Sequence, residues 1–151
     1  MSLKQTIAEE VKSAMRAKDS ARLSTLRFLQ AAIKQREVDE QKELSDAEVT
    51  AIVEKQVKQR RESIAAYEQA GRTDTAAQEQ AEIVVLQEFL PRAATPEEVT
   101  AAIASAIEQA RADGVQGPAV MGKVMAALKQ SLAGRADMSQ VSQQVKQALN
   151  P

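Results

Sequence analysis

The amino-acid sequence predicts an all-α protein made of two helical units, a four-helix N-terminal bundle over residues 1–92 followed by a three-helix C-terminal bundle over 95–151. Three observations predict it. Apolar residues recur at three- and four-residue spacing, and no stretch shows the strict alternation of a half-buried strand. Hydrophobic residues make up 44% of the chain but aromatic ones only 2%, so Ala, Leu, Val, Ile and Met must fill the core. Such a core suits close-packed helices better than strands. Finally, capping patterns, glycines and prolines divide the chain into seven segments.

Ser2 and Gln5 form a capping-box pattern ahead of Ile7, Val11, Ala14 and Met15, so the first helix is expected to run to about Ala17. Lys18-Asp19-Ser20 reads as a turn that caps a second helix, with Leu23, Leu26, Leu29 and Ile33 on one side and an end near Asp39. Ser45-Asp46-Ala47-Glu48 starts a long third helix whose inward stripe is Val49, Ile52, Val53, Val57, Ile64 and Tyr67. Gly71 is placed to stop it in a left-handed turn. A fourth helix begins at Thr73 or Asp74 and becomes apolar nearly all round at Ile83-Val84-Val85-Leu86, which predicts burial by several neighbours. Pro91 ends it, and residues 91–94 read as a linker.

Thr95-Pro96-Glu97-Glu98 combines a cap, a proline at the first helical position and a glutamate at the third, opening a fifth helix that ends before Gly114. A sixth helix from about Pro118 to Leu132 turns Val120, Met121, Val124, Met125, Leu128 and Leu132 inward. Asp137 with Gln140 caps a seventh, carrying Met138, Val141, Val145 and Leu149.

Composition excludes much chemistry. The chain has no His and no Cys, hence no imidazole base, thiol nucleophile, disulfide, or zinc site built from those ligands. The acidic residues fall mostly at helix starts and on solvent faces, where they serve caps and dipoles rather than a split-pKa acid–base pair. No catalytic residue, metal or cofactor is assigned, and no activity is expected of the chain alone. A net charge of −1 gives no global field toward nucleic acid or membrane. Without an apolar signal core or a run of about 20 apolar residues, a cytoplasmic protein with no membrane contact is expected.

Charge is uneven at the C-terminal end. Residues 117–151 hold four basic side chains, Lys123, Lys129, Arg135 and Lys146, against one acidic, Asp137. Three of the five glycines, Gly117, Gly122 and Gly134, lie here as well. Gly122 inside a helix costs about 1 kcal/mol relative to Ala, which demands a reason. Close approach of an RNA backbone is one reason and packing of a neighbouring helix another, while Gly134 fits a helix stop. Lys123, Lys129 and Arg135 are candidates for phosphate contacts, or else a solvated face. In the N-terminal half, Arg22, Arg27, Arg60, Arg61 and Glu82 form a second constellation. Arg60 or Arg61 interrupts the inward stripe between Val57 and Ile64, so Glu82 is expected to pair with one of these arginines. An exposed basic groove for RNA is the functional alternative.

The order of motifs resembles the GatB/YqeY family along essentially the whole chain. The residues that carry the resemblance are Arg22-Leu23-Ser24-Thr25-Leu26-Arg27, Lys58 to Ile64, Ala70-Gly71-Arg72-Thr73-Asp74, Glu82 to Leu86, and Phe89-Leu90-Pro91. Met121-Gly122-Lys123-Val124-Met125 and Gly134-Arg135-Ala136-Asp137 continue it. The chain departs from the pattern at Ala133, where a basic residue is expected, and at Met138, where a glycine is usual.

The resemblance implies a four-helix unit followed by a three-helix one. It also implies kinship with the C-terminal tail of the GatB subunit of tRNA-dependent amidotransferases, carbon–nitrogen ligases that amidate Glu-tRNA(Gln) or Asp-tRNA(Asn) with glutamine as donor. In those enzymes the tail helps to hold tRNA and the chemistry occurs elsewhere. By resemblance, then, this chain is expected to be a non-catalytic accessory module, with tRNA or another structured RNA and a translation-related protein as partners. Its contact would be Lys123, Lys129, Arg135, Gly122 and Gly134. The rival reading is a helical protein-interaction module with no RNA contact.

Overall fold

The computed structural model describes residues 1–150, and those residues contain helices and no strand. The helices are α1 (Leu3–Ala17), α2 (Ser20–Glu40), α3 (Asp46–Gln69), α4 (Thr73–Gln87), α5 (Pro96–Ala112), α6 (Ala119–Ser131) and α7 (Met138–Leu149). The chain divides into two compact units, Met1–Pro91 and a second from Arg92 on.

Local chemistry sets the ends. Ser2 Oγ accepts from the Gln5 N–H at 3.1 Å while Gln5 Oε1 accepts from the Ser2 N–H at 3.0 Å, so two orphan donors of α1 are satisfied reciprocally. At the end of α3, Gly71 takes φ +74°. There the Arg72 and Gly71 N–H groups reach back to the carbonyls of Tyr67 and Glu68, which closes the helix in a Schellman turn. Asp137 caps α7 through the Ser139 N–H at 2.9 Å.

In the first unit α3 and α4 pack most extensively on each other, and α2 touches α1, α3 and α4. Ile7, Leu26, Leu29, Val49, Val53, Ile83 and Leu86 are fully or almost fully buried in this core. The expectation that α4 is covered on all sides needs correction: Val84 is 57% exposed. Its neighbours α2 and α3 cover the side bearing Ile83 and Leu86, and nothing within the unit packs over the opposite side. Leu44 is buried although it lies outside any helix. Its N–H donates to Glu37 Oε2 at 3.0 Å, the same oxygen that receives Lys4 Nζ at 2.8 Å.

In the second unit α6 is central and packs on both α5 and α7. Val99, Ile103, Ile107, Val124, Leu128, Leu132, Val141 and Val145 form its core. Met121 and Met125 are partly buried against them, consistent with their helical spacing. Because Val124 and Leu128 point inward, Gly122, Lys123, Ala126 and Lys129 point outward.

Candidate nucleic-acid interface

Helix α6 contains no acidic residue, and its outer face carries Gly122, Lys123, Ala126 and Lys129. Gly122, Ala126 and Lys129 follow at i, i+4 and i+7, one stripe of the helix surface. A methyl group built onto Gly122 would meet nothing within 4 Å. Packing within the chain therefore does not require this glycine. Lys129 is exposed, with no carboxylate in ion-pair range among the described residues, and Lys146 on α7 is exposed in the same way.

Lys123 differs. Its Nζ lies 2.7 Å from Asp113 Oδ2, the two side chains being 45% and 39% exposed. The Lys123 ammonium, helped by a hydrogen bond from Gln109, holds the Asp113 carboxyl below the usual carboxylate range. Water and salt screen such an exposed pair, so it contributes little and a phosphate can displace it.

Arg135 is different again, at 29% side-chain exposure. Gly134 turns the chain at φ +71°, and the guanidinium that follows meets Glu98 at the start of α5. Arg135 Nε donates to the Arg92 carbonyl at 3.0 Å, and the Ala94 N–H donates to the Arg135 carbonyl at 2.7 Å. Glu98 also receives Arg92 at 3.1 Å, and the Arg135 guanidinium foremost holds its carboxyl below the ordinary value. This side chain closes a corner within the unit, unlike Lys129, which faces water. Of the three cations assigned to phosphate, two thus already face a carboxylate.

The arginines of the first unit also separate into two kinds. Arg60, 14% exposed, points its Nη1 at Glu82 Oε2 (2.5 Å) and Glu79 Oε2 (3.2 Å). Arg22 bridges Glu10 at 2.9 Å and Glu88. Arg27 and Arg61 are exposed and have no such partner among the described residues. Sequence reading missed Glu79, Glu10 and Glu88. Glu79 was within reach, since it precedes Glu82 by three residues on one helix face.

The profile of the YqeY-like protein family matches residues 4–149. The chain belongs to the YqeY-like family. Within reach of this family lie proteins named "Altered inheritance of mitochondria protein 41, mitochondrial". That of Pyrenophora tritici-repentis is 30% identical over 143 residues, 93% of this chain and 77% of the relative. The Eremothecium gossypii protein is 39% identical over 109 residues, 71% of this chain and 55% of the relative. The Lachancea thermotolerans protein is 33% identical over 85 residues, 56% of this chain and 46% of the relative. The matched segment of this YqeY-like chain thus spans about half the length of the latter two. These relatives are named as mitochondrial proteins, whereas a cytoplasmic protein was expected from the sequence. No helix among the described residues is long and apolar enough to cross a membrane.

Proposed function

We propose that this YqeY-like protein is a non-catalytic RNA-binding module, with tRNA or a similarly structured RNA as ligand, and that the outer face of α6 makes the contact. By resemblance it is related to the tail of tRNA-dependent amidotransferases and acts beside translation-related proteins. Gly122 is the observation that carries the reading. A mid-helix glycine costs about 1 kcal/mol, yet no neighbour in the chain needs the space. Close approach of an external backbone would account for the glycine, and an acid-free face flanked by Lys123 and Lys129 suits a phosphate backbone. Lys129 would contact phosphate directly, and Lys123 would exchange Asp113 for it. Arg135 and Gly134 would shape the neighbouring corner, with Arg135 held by Glu98.

Gly122→Ala separates this reading from a purely structural one. Thermal melts should show the variant more stable by up to about 1 kcal/mol, while filter binding should show weaker retention of tRNA. A variant that is more stable and binds tRNA as well as the parent would remove the α6 reading.

A second reading, a protein-docking module, draws on a groove of about 540 Å³ between α5 and α7, lined by Ile103, Ala104, Ile107 and Ala148. It predicts that tRNA is not bound at all.

A further inference from the structure

Phe28 is one of three aromatic residues in the chain, and it is 61% exposed, whereas Phe89 is buried. On α2 its outward neighbours one turn away are small, Ser24 and Ala31, so nothing on its own helix screens the ring. Across from it on α3, the Arg60 guanidinium lies 5.4 Å from the ring centroid, a cation–π distance. Arg60 is itself fixed by Glu79 and Glu82. Its charge is therefore already compensated, and its effect is to hold the ring in place.

That contact brings together two dipeptides, Arg27-Phe28 and Arg60-Arg61. Beside each partner in the chain stands an exposed arginine, Arg27 next to Phe28 and Arg61 next to Arg60, and neither has a carboxylate in ion-pair range among the described residues. An anchored, exposed ring whose neighbours in the chain carry two uncompensated guanidinium groups has a specific complement: a flat π-face with anions close to it. An unpaired nucleotide in a phosphate backbone supplies both, since every base offers a stacking face and RNA loops splay their bases outward. An apolar protein surface would leave Arg27 and Arg61 without partners.

We propose that Phe28, with Arg27 and Arg61, is a second RNA contact, at which an unpaired base stacks on the ring and the flanking phosphates meet the two arginines. This inference rests on the RNA-binding reading and adds that the ligand must present a single-stranded loop or end.

The test compares fluorescence anisotropy of two labelled RNAs, a hairpin with an unpaired loop and a blunt duplex of the same stem. Phe28→Leu keeps an apolar side chain on an exposed position, so the fold should persist, which circular dichroism checks. The hairpin should bind about tenfold more weakly to Phe28→Leu, in line with a single stacking contact. The duplex should bind as before, and Phe28→Tyr should retain hairpin affinity. Arg61→Gln should flatten the salt dependence of hairpin binding. Unchanged hairpin affinity in Phe28→Leu, alongside weakening by Lys129→Ala, overturns this inference and leaves the α6 reading standing. Failure of the parent protein to bind either RNA overturns both. A change of oligomeric state in Phe28→Leu, seen by sedimentation without an effect on RNA, would reassign the ring to a second copy of the chain and overturn the proposal.

Discussion

Arg60→Ala is expected to lower the stability of the first unit by about 2–3 kcal/mol, measured by urea unfolding followed at the helical dichroism band. Removing one partner of a fully buried ion pair costs about 3–5 kcal/mol, because the remaining charge is left unpaired in a poor solvent. Here the site is only partly buried: Arg60 is 14% exposed, and Glu79 and Glu82 are 21% and 24% exposed. Water moderates the loss without cancelling it. Two carboxylates would also face each other with no cation between them, and the ring of Phe28 would lose its guanidinium neighbour. Adding Glu79→Gln and Glu82→Gln to Arg60→Ala should recover much of the loss, since the uncompensated charge then disappears. A loss below about 0.5 kcal/mol for the single change would show that the three side chains behave as an ordinary surface pair.

Leu128→Ala should cost about 3 kcal/mol, within the usual range for a buried leucine. Leu128 is fully buried on α6, the helix that packs on both α5 and α7. The three carbons removed leave a cavity lined by partners from two helices, which cannot both collapse into it. Differential scanning calorimetry gives the check. A cost below about 1 kcal/mol would mean that α6 is loosely seated, and an α6 with that freedom could not present a fixed row of phosphate ligands.

Much of the fold is legible in the sequence because the signals are local. The Ser2–Gln5 box, the left-handed Gly71 and the Thr95-Pro96 start each depend on a few adjacent residues, and each occurs in the structure as read. What is not legible depends on residues distant in the chain. Val84 sits in an apolar run, yet sequence alone does not say which side of a helix lacks a neighbour. Glu10 reaches Arg22 from α1 and Glu88 from just past the end of α4, at separations that no periodicity encodes.

The charge count shows the same limit most clearly. Four cations against one acid over residues 117–151 describes a segment, but electrostatics acts through space. Asp113 lies just outside that window and meets Lys123; Glu98 lies further back and meets Arg135. Gly122 illustrates the converse. From sequence, packing of a neighbouring helix is the stronger explanation for it, and only the space that an added methyl group would find removes that explanation.

The salt dependence of tRNA affinity tests the central claim most directly. Between about 50 and about 200 mM salt, the logarithm of the binding constant should fall linearly as phosphates exchange counterions for lysines. In a Lys123→Ala, Lys129→Ala variant the slope should become shallower by about two, one for each lost contact. Absence of binding at the lowest salt, or a variant slope equal to that of the parent protein, would contradict it.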